Sequence, residues 1–318
     1  MAIRKINTKA ASASNSENPP LHRRQCGTMQ SHFQLLEMIP NFRARQMSLE
    51  QATARRLSLG EELRKREPTL TIPVVVHIVY NAPEQNISAA QVKSQMRVLN
   101  RDFCSRNTDK SKVPEPWKGL IGNPNLRFAL AKKDPQGQPT TGITRIPTVR
   151  TSFGTNNSVK TASGGGADPW STNKYLNIWV CNLTGGLLGY AQFPGGPPET
   201  DGVVIAYRAF GTTGTATSPF NLGRTATHEI GHFLNLRHIW GDTEDCSGTD
   251  LVKDTPNAAG PNFGRPVFPH VSCGNGPNGD MFMNYMDYVE DAAMFMFTME
   301  QVVRMQAALE ESRKKLVS

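Results

Sequence analysis

His228-Glu-Ile-Gly-His232-Phe-Leu-Asn235-Leu-Arg-His238 decides how the rest of this chain is read. On a helix, residues i and i+4 lie on one face, so His228 and His232 can reach one ion. Glu229, one residue along, leans over the open side of that ion, where it can take a proton from water as a general base. The helix has to stop after His232 so that the chain can turn and bring His238 round as a third ligand. Such a turning residue takes a left-handed conformation and is usually Gly. Here it is Asn235, the next most tolerant residue type for that conformation. Three neutral imidazoles and one open position predict a catalytic zinc site. The bland alternative, a helix with two surface histidines, leaves Asn235 and His238 unexplained.

The spacing resembles the metzincin signature H-E-x-x-H-x-x-G-x-x-H, with Asn235 in the glycine position. The other mark of that clan is a methionine in a tight turn beneath the histidines, and Asn284-Tyr-Met286-Asp-Tyr288 offers one. Met286 as an ordinary core methionine is the alternative, since the chain has 12 of them. Tyr288, two residues on, can swing its hydroxyl toward the metal and stabilise the oxyanion of a tetrahedral intermediate.

Working outward, Thr71–Tyr80 is rich in β-branched residues and predicts a strand. Ser88 with Gln91 opens a helix whose Val92, Met96, Leu99 and Phe103 share one face. Further strands are expected at Leu126–Ala131, Leu176–Cys181 and Val203–Tyr207. Gly185–Phe193 reads as a glycine-flanked strand suited to a sheet edge. Residues 132–170 read as loop. The helix that carries the histidines is expected over about Asn221–Leu234, and Thr298 with Gln301 caps a last helix running to about Lys315. Between them, residues 241–284 are irregular and rich in Gly, Pro, Asp and Asn. Residues 1–20 have the composition of a disordered tail. Residues 21–66 read as mostly helical and basic, with a Ser-x-x-Gln cap at Ser48 and a weak apolar pattern at Leu57, Leu59 and Leu63. Arg64-Lys-Arg66 before Pro68 reads as an exposed linker, so the expected domains are 1–66 and 67–318.

The chain has 318 residues and a net charge of +8. Residues 1–66 hold 12 Lys and Arg against 5 Asp and Glu, and the remainder holds 23 against 22. The basic excess is therefore N-terminal, and the bulk lacks the electrostatic footprint of a nucleic-acid binder. No stretch approaches the roughly 20 apolar residues of a membrane helix. Cys246 and Cys273 flank the irregular loop, where a disulfide would pin a segment with little core of its own; two free thiols are the alternative. Cys181 reads as a small buried hydrophobe. Met1–Pro20 lacks the apolar region of a secretory signal, which is compatible with a secreted protein whose signal is not in this sequence, with export by another route, and with a protein that stays inside the cell.

Within the metzincins the sequence resembles the pappalysin family, especially its cytophagalysin-like members. The resemblance covers roughly residues 70–315. It rests on His228–His238 followed by Ile-Trp-Gly-Asp, on Leu176-Asn-Ile-Trp-Val-Cys, on Gly186–Pro194, on Asp254-Thr-Pro256 and on Asn284–Tyr288. It implies an α+β, two-subdomain zinc peptidase. A twisted, mostly parallel sheet with backing and active-site helices would form an upper subdomain, about 67–238. An irregular lower subdomain with a C-terminal helix would occupy about 239–318. Leu187, Leu188 and Gly189 would lie on the edge strand that binds extended peptide, so protein or peptide substrates and a monomer are expected. Arg24-Gln-Cys26-Gly27 resembles the cysteine-switch motif of some metzincin propeptides, in which Cys26 would ligate zinc in a latent form; a stray thiol in a tail is the alternative. Asp242, Glu244, Asp245, Asp250, Asp254 and Thr255 crowd one loop. Relatives with a similar Asp-Thr-Pro segment bind calcium there, with Asp250 and Thr255 the implied side-chain ligands; a solvated acidic loop is the alternative.

The reading that follows is a zinc endopeptidase made as a zymogen. A catalytically inactive binding module would not need Glu229, and a zinc hydrolase of small esters or amides would not need the edge strand. The pocket next to the scissile bond would be walled by residues after Met286, with Asp287, Glu290, Asp291 and Met294 as candidates. An acid at its base would select Arg or Lys, and Met294 there would select apolar side chains.

Overall fold

The computed structural model describes residues 23–58 and 69–317. The tail 1–20, Leu59, Leu63, the run Arg64–Arg66 and the expected boundary at 66–67 lie outside the described residues.

The chain begins with two helices, α1 (Thr28–Met38) and α2 (Phe42–Ser58). The cap expected at Ser48 does not form: Ser48 sits inside α2. The break falls earlier, at Pro40-Asn41, where Asn41 takes φ 62°. The buried face of α2 is Phe42, Gln46, Leu49, Ala52 and Thr53, so packing of this face outweighs the local cap signal.

A six-stranded sheet follows: β1 (Leu70–Tyr80), β2 (Leu126–Leu130), β3 (Ile143–Pro147), β4 (Leu176–Cys181), β5 (Gly189–Ala191) and β6 (Val203–Ala206). The order is β2-β1-β4-β6-β5, with β3 also on β1. All pairs are parallel except β5 with β6. The central strands read as continuous apolar runs because both faces are covered; Val74–Ile78 and all of β4 are buried. His77 is satisfied within this layer by Thr144 Oγ1 at 2.8 Å and Asn177 Oδ1 at 3.0 Å.

Strand β3 corrects the loop expected over 132–170. With 11 residues, β1 is long enough for two partners on one edge. Leu70–Val74 pairs with β2 and Val76–Tyr80 pairs with β3.

Helix α3 (Ala89–Asp102) is capped as expected, Ser88 Oγ accepting from the Gln91 amide. It lies against β2, while α5 (Arg224–Phe233) lies against β5 and β6 and touches α3. One turn at Glu115–Lys118 is α4. From 241 to 298 the described chain is irregular apart from short turns, and Cys246–Cys273 is bridged. Cys26, Cys104 and Cys181 are free, the last two buried. Helix α6 (Met299–Glu311) closes the fold with the expected Thr298/Gln301 capping box. Among the described residues no helix is long and apolar enough to cross a membrane.

Candidate active site

Helix α5 is short because its C-terminus is built to stop. The Leu236 amide donates to Gly231 O and the Asn235 amide to His232 O, both at 2.9 Å, and Asn235 has φ 72°. This is the left-handed termination expected at Asn235. The chain then turns and carries His238 back to the face of His228 and His232.

The Nε2 atom of His232 lies 3.2 Å from that of His228 and 3.1 Å from that of His238. Each ring's other nitrogen faces an acceptor: Tyr285 O for His228 (2.7 Å), Leu236 O for His232 (2.8 Å) and Asp242 Oδ1 for His238 (2.5 Å). Carbonyl and carboxylate oxygens only accept, so the protons reside on Nδ1 and three Nε2 lone pairs point at one another. Burial pushes the His228 and His232 imidazoles well below their usual range, and the neighbouring histidines add to the shift. Neutral imidazoles with converging lone pairs fit a cation. Four-coordinate zinc sets neighbouring nitrogens roughly 3.3 Å apart. The Cys26 sulfur joins the set, and all four ligand atoms lie within 4.8 Å of one another. Asp242, one of the loop acids, stands behind His238.

Glu229 is buried, and burial raises its carboxyl to about 7. It lies against the edge strand: a Cβ on Gly189 would stand 2.8 Å from Glu229 Cγ. Met286 is fully buried beneath α5, where a Cβ on Gly231 would meet its sulfur at 2.4 Å. The Tyr288 ring stands 4.9 Å from the His238 ring and 5.8 Å from the His228 ring, and the Cys26 backbone faces its hydroxyl.

Residues 24–28 run along the free edge of β5. Leu188 N donates to Gln25 O and Gly27 N to Gly189 O, each at 2.9 Å, in parallel register. Leu188 and Gly189 thus receive an extended segment of this same chain, and the Leu187 side chain stands beside Gly27. Arg24 is only 1% exposed. Its guanidinium reaches Asp291 Oδ1 at 2.7 Å, Val289 O at 3.1 Å, Thr225 Oγ1 at 3.1 Å and Met294 Sδ at 3.7 Å. Of the acids expected to wall this pocket, Asp287 is held by Asn262 and Glu290 by Arg265. Asp291 alone meets the buried arginine. Sequence reasoning did not single out Thr28, whose hydroxyl donates to Glu229 Oε2 at 2.9 Å.

The loop acids do not gather as the crowding suggested. Asp245 bonds Ser247, while Asp254 accepts from Thr298 Oγ1 and the Glu300 amide at the start of α6. Asp250 is buried beside Thr255, whose hydroxyl donates to it at 2.7 Å. Among the described residues the one cluster of three or more His, Cys, Asp or Glu able to hold a metal is Cys26 with the three histidines.

A mostly parallel sheet, a short helix carrying His-Glu-x-x-His, a third histidine beyond a left-handed turn and a methionine below define a metzincin-type metallopeptidase. A family model described as pregnancy-associated plasma protein-A matches residues 161–310. An extracellular metalloprotease of Pyricularia oryzae is 31% identical over 268 residues, 79% of each chain. Mature mirolysin of Tannerella forsythia, in complex with a cleaved peptide, is 50% identical, with a TM-score of 0.76 over 79% of this chain and 99% of that one. A promirolysin mutant from the same organism is 46% identical, with a TM-score of 0.83 over 92% of this chain and 97% of that one. The chain belongs to the pappalysin family of zinc metallopeptidases.

Proposed function

We propose that the chain is a latent zinc endopeptidase in which His228, His232 and His238 hold the metal, Glu229 is the general base and Cys26 blocks the open position. The observation that carries this reading is the convergence of the Cys26 sulfur on the three imidazoles while residues 24–28 lie along the substrate edge. When bound, the zinc supplies Lewis acidity toward water and the scissile carbonyl. Glu229 takes the proton of the attacking water and passes it to the leaving amine, worth roughly 10²–10⁴ in rate. Tyr288 donates to the developing oxyanion. Leu188 and Gly189 align the peptide through main-chain bonds, as they hold Gln25 and Gly27, and Leu187 flanks it with its side chain. Met286 supports the histidine platform from below, and Asn235 makes the turn that delivers His238.

Residues 1–66 act as the pro-segment and 67–318 as the catalytic unit, divided near 238 into upper and lower subdomains. The promirolysin match extends over more of this chain than the mature one, 92% against 79%, which supports a zymogen. The buried Arg24–Asp291 pair supports a preference for Arg or Lys at the primed-side pocket, with the pro-segment arginine standing in for the substrate. Secretion accords with relatives named extracellular. A calcium ion at Asp250 and Thr255, and action as a monomer, complete the reading.

The test is hydrolysis of casein by the zinc-loaded chain before and after limited proteolysis near Arg64–Arg66. Chelator-sensitive cleavage at internal bonds is expected only after the cut. Equal activity before and after removes the latency, and cleavage that survives zinc chelation removes the mechanism.

A further inference from the structure

The N-terminal segment meets the rest of the molecule at a second place besides the cleft. Helix α2 packs against α6. Arg304 of α6 is 1% exposed. Its Nη1 and Nη2 donate to the two carboxylate oxygens of Glu50, each at 2.8 Å. The same guanidinium donates to Asn235 O at 3.3 Å from Nε and 3.1 Å from Nη2. Asn235 closes the triangle, its Nδ2 donating to Glu50 Oε1 at 3.2 Å. Asn235 is the turn residue between the second and third histidines, so α2 touches the metal platform without entering the cleft. Around this pair, Gln46 Nε2 donates to Pro194 O at 2.6 Å and Arg56 pairs with Glu310. Phe42 and Leu35 pack on Phe193 in a small apolar cluster separate from the main core.

We propose that the face formed by α6, Arg304 and Asn235 is a docking site for residues Phe42–Ser58, that Glu50 is its anchor, and that its occupancy keeps Cys26 on the metal. The proposal rests on reading residues 1–66 as a pro-segment.

The physical argument is one of effective concentration. With α2 docked, only Ile39–Asn41 separates it from α1, and α1 follows directly on Cys26. The thiol is then held within a few ångströms of its place. With α2 released, the nearest fixed point toward the C-terminus is Leu70. Counted from the end of α1 at Met38, the tether to that point is about 30 residues, and a flexible coil of that length has a root-mean-square span of roughly 30 Å. The thiol's effective concentration then falls toward the millimolar range of flexible linkers, and water and substrate compete for the metal. A separate, small apolar patch and one bidentate charge pair suit a segment that has to leave after cleavage. A main-core attachment would take the sheet with it.

The experiment uses the zinc-loaded, uncut precursor and a short arginine-containing peptide substrate. Glu50→Ala is compared with wild type, with Cys26→Ala and with Leu49→Ala, which loosens the same helix while leaving the charge pair in place. Glu50→Ala is expected to raise precursor activity at least about tenfold, toward the level of Cys26→Ala, with Leu49→Ala moving in the same direction. Raising salt from about 0.05 M to about 0.5 M is expected to raise wild-type precursor activity, and to raise that of Glu50→Ala by a smaller factor, because only the Arg56–Glu310 pair of this helix is left there to screen. After cleavage near Arg64–Arg66 and removal of the pro-segment, Glu50→Ala and wild type should have the same kcat/KM. A Glu50→Ala precursor as latent as wild type, beside an active Cys26→Ala, overturns the docking site alone. Equal activity of the wild-type, Cys26→Ala and Glu50→Ala precursors overturns both the docking site and the pro-segment reading.

Discussion

The hydroxyl of Thr28 donates to Glu229 Oε2 at 2.9 Å and accepts from the Ala191 amide at 2.8 Å. The second bond is one that a substrate carbonyl would make with the edge strand. Two residues earlier, Cys26 Sγ lies 3.5 Å from the same carboxylate oxygen. The N-terminal segment therefore engages the ligand set and the base together, and each contact can be removed by itself.

Thr28→Val keeps the shape and deletes the hydroxyl. It leaves the buried Ala191 amide and Glu229 each short of a partner, at about 1–3 kcal/mol for such a group. The uncut Thr28→Val precursor should be roughly 5- to 100-fold more active than wild type, and less active than Cys26→Ala. Rates on a short peptide, with gels showing that the precursor stays intact, give the ranking. A Thr28→Val precursor indistinguishable from wild type would remove the hydroxyl from the latch.

Glu229→Gln preserves size and removes the base. Zinc content should stay near that of wild type, while kcat of the activated enzyme should fall by roughly 10²–10⁴. Wild-type turnover in a variant shown by metal analysis to hold zinc would contradict the assigned role.

Asp250 gives a pH-dependent prediction. Burial raises its carboxyl to about 7, partly offset by the Thr255 hydroxyl. Its unfolded value is near 3.9. The folded state therefore holds the proton more tightly, and the stability this contributes is complete below about pH 4 and lost as pH rises through about 7. Without calcium, Asp250→Asn should melt higher than wild type at pH 8, by less at pH 5, and close to it at pH 4. Added calcium should raise the melting temperature of wild type by mass action and leave Asp250→Asn unmoved. Equal calcium shifts in both proteins would count against a site at Asp250 and Thr255.

What could be read in the sequence was local. The two histidines at i and i+4, the left-handed residue at Asn235 and the caps at Ser88 and Thr298 each depend on neighbours a few residues away, and the structure has them as expected. Strand β3 was missed because Ile143–Pro147 is a short stretch whose pairing is set by the surplus length of β1. The Ser48 cap failed because a local signal lost to the buried face that begins at Phe42. Thr28 with Glu229 and Glu50 with Arg304 are pairs separated by 201 and 254 positions, and no periodicity encodes such contacts. Closeness in sequence says little about contact in space for the loop acids: Asp250 meets Thr255, whereas Asp242 turns to His238 and Asp254 to the start of α6.

Asp291 carries the specificity prediction. It lies fully buried, and besides Arg24 it accepts from the Leu222 amide at 2.8 Å and the Arg224 amide at 3.2 Å, so its carboxylate is fixed before any ligand arrives. A preorganised, desolvated carboxylate favours a guanidinium over an apolar side chain, because an apolar guest leaves the charge unpaired. Removing one partner of such a pair costs about 3–5 kcal/mol, or roughly 10²- to 10⁴-fold in kcat/KM. Asp291→Asn should lose that much on substrates with Arg at the primed-side pocket. It should lose far less on Leu or Met, for which Met294 offers a compatible wall. The same change should loosen the precursor, since Arg24 loses its ion pair. Cleavage profiling of a peptide library with wild type and Asp291→Asn reads the first effect, and precursor activity reads the second. A melting curve close to that of wild type separates both from a loss of the cap at the start of α5. An unchanged preference for Arg in a folded Asp291→Asn enzyme would show that another group sets the specificity of this pocket.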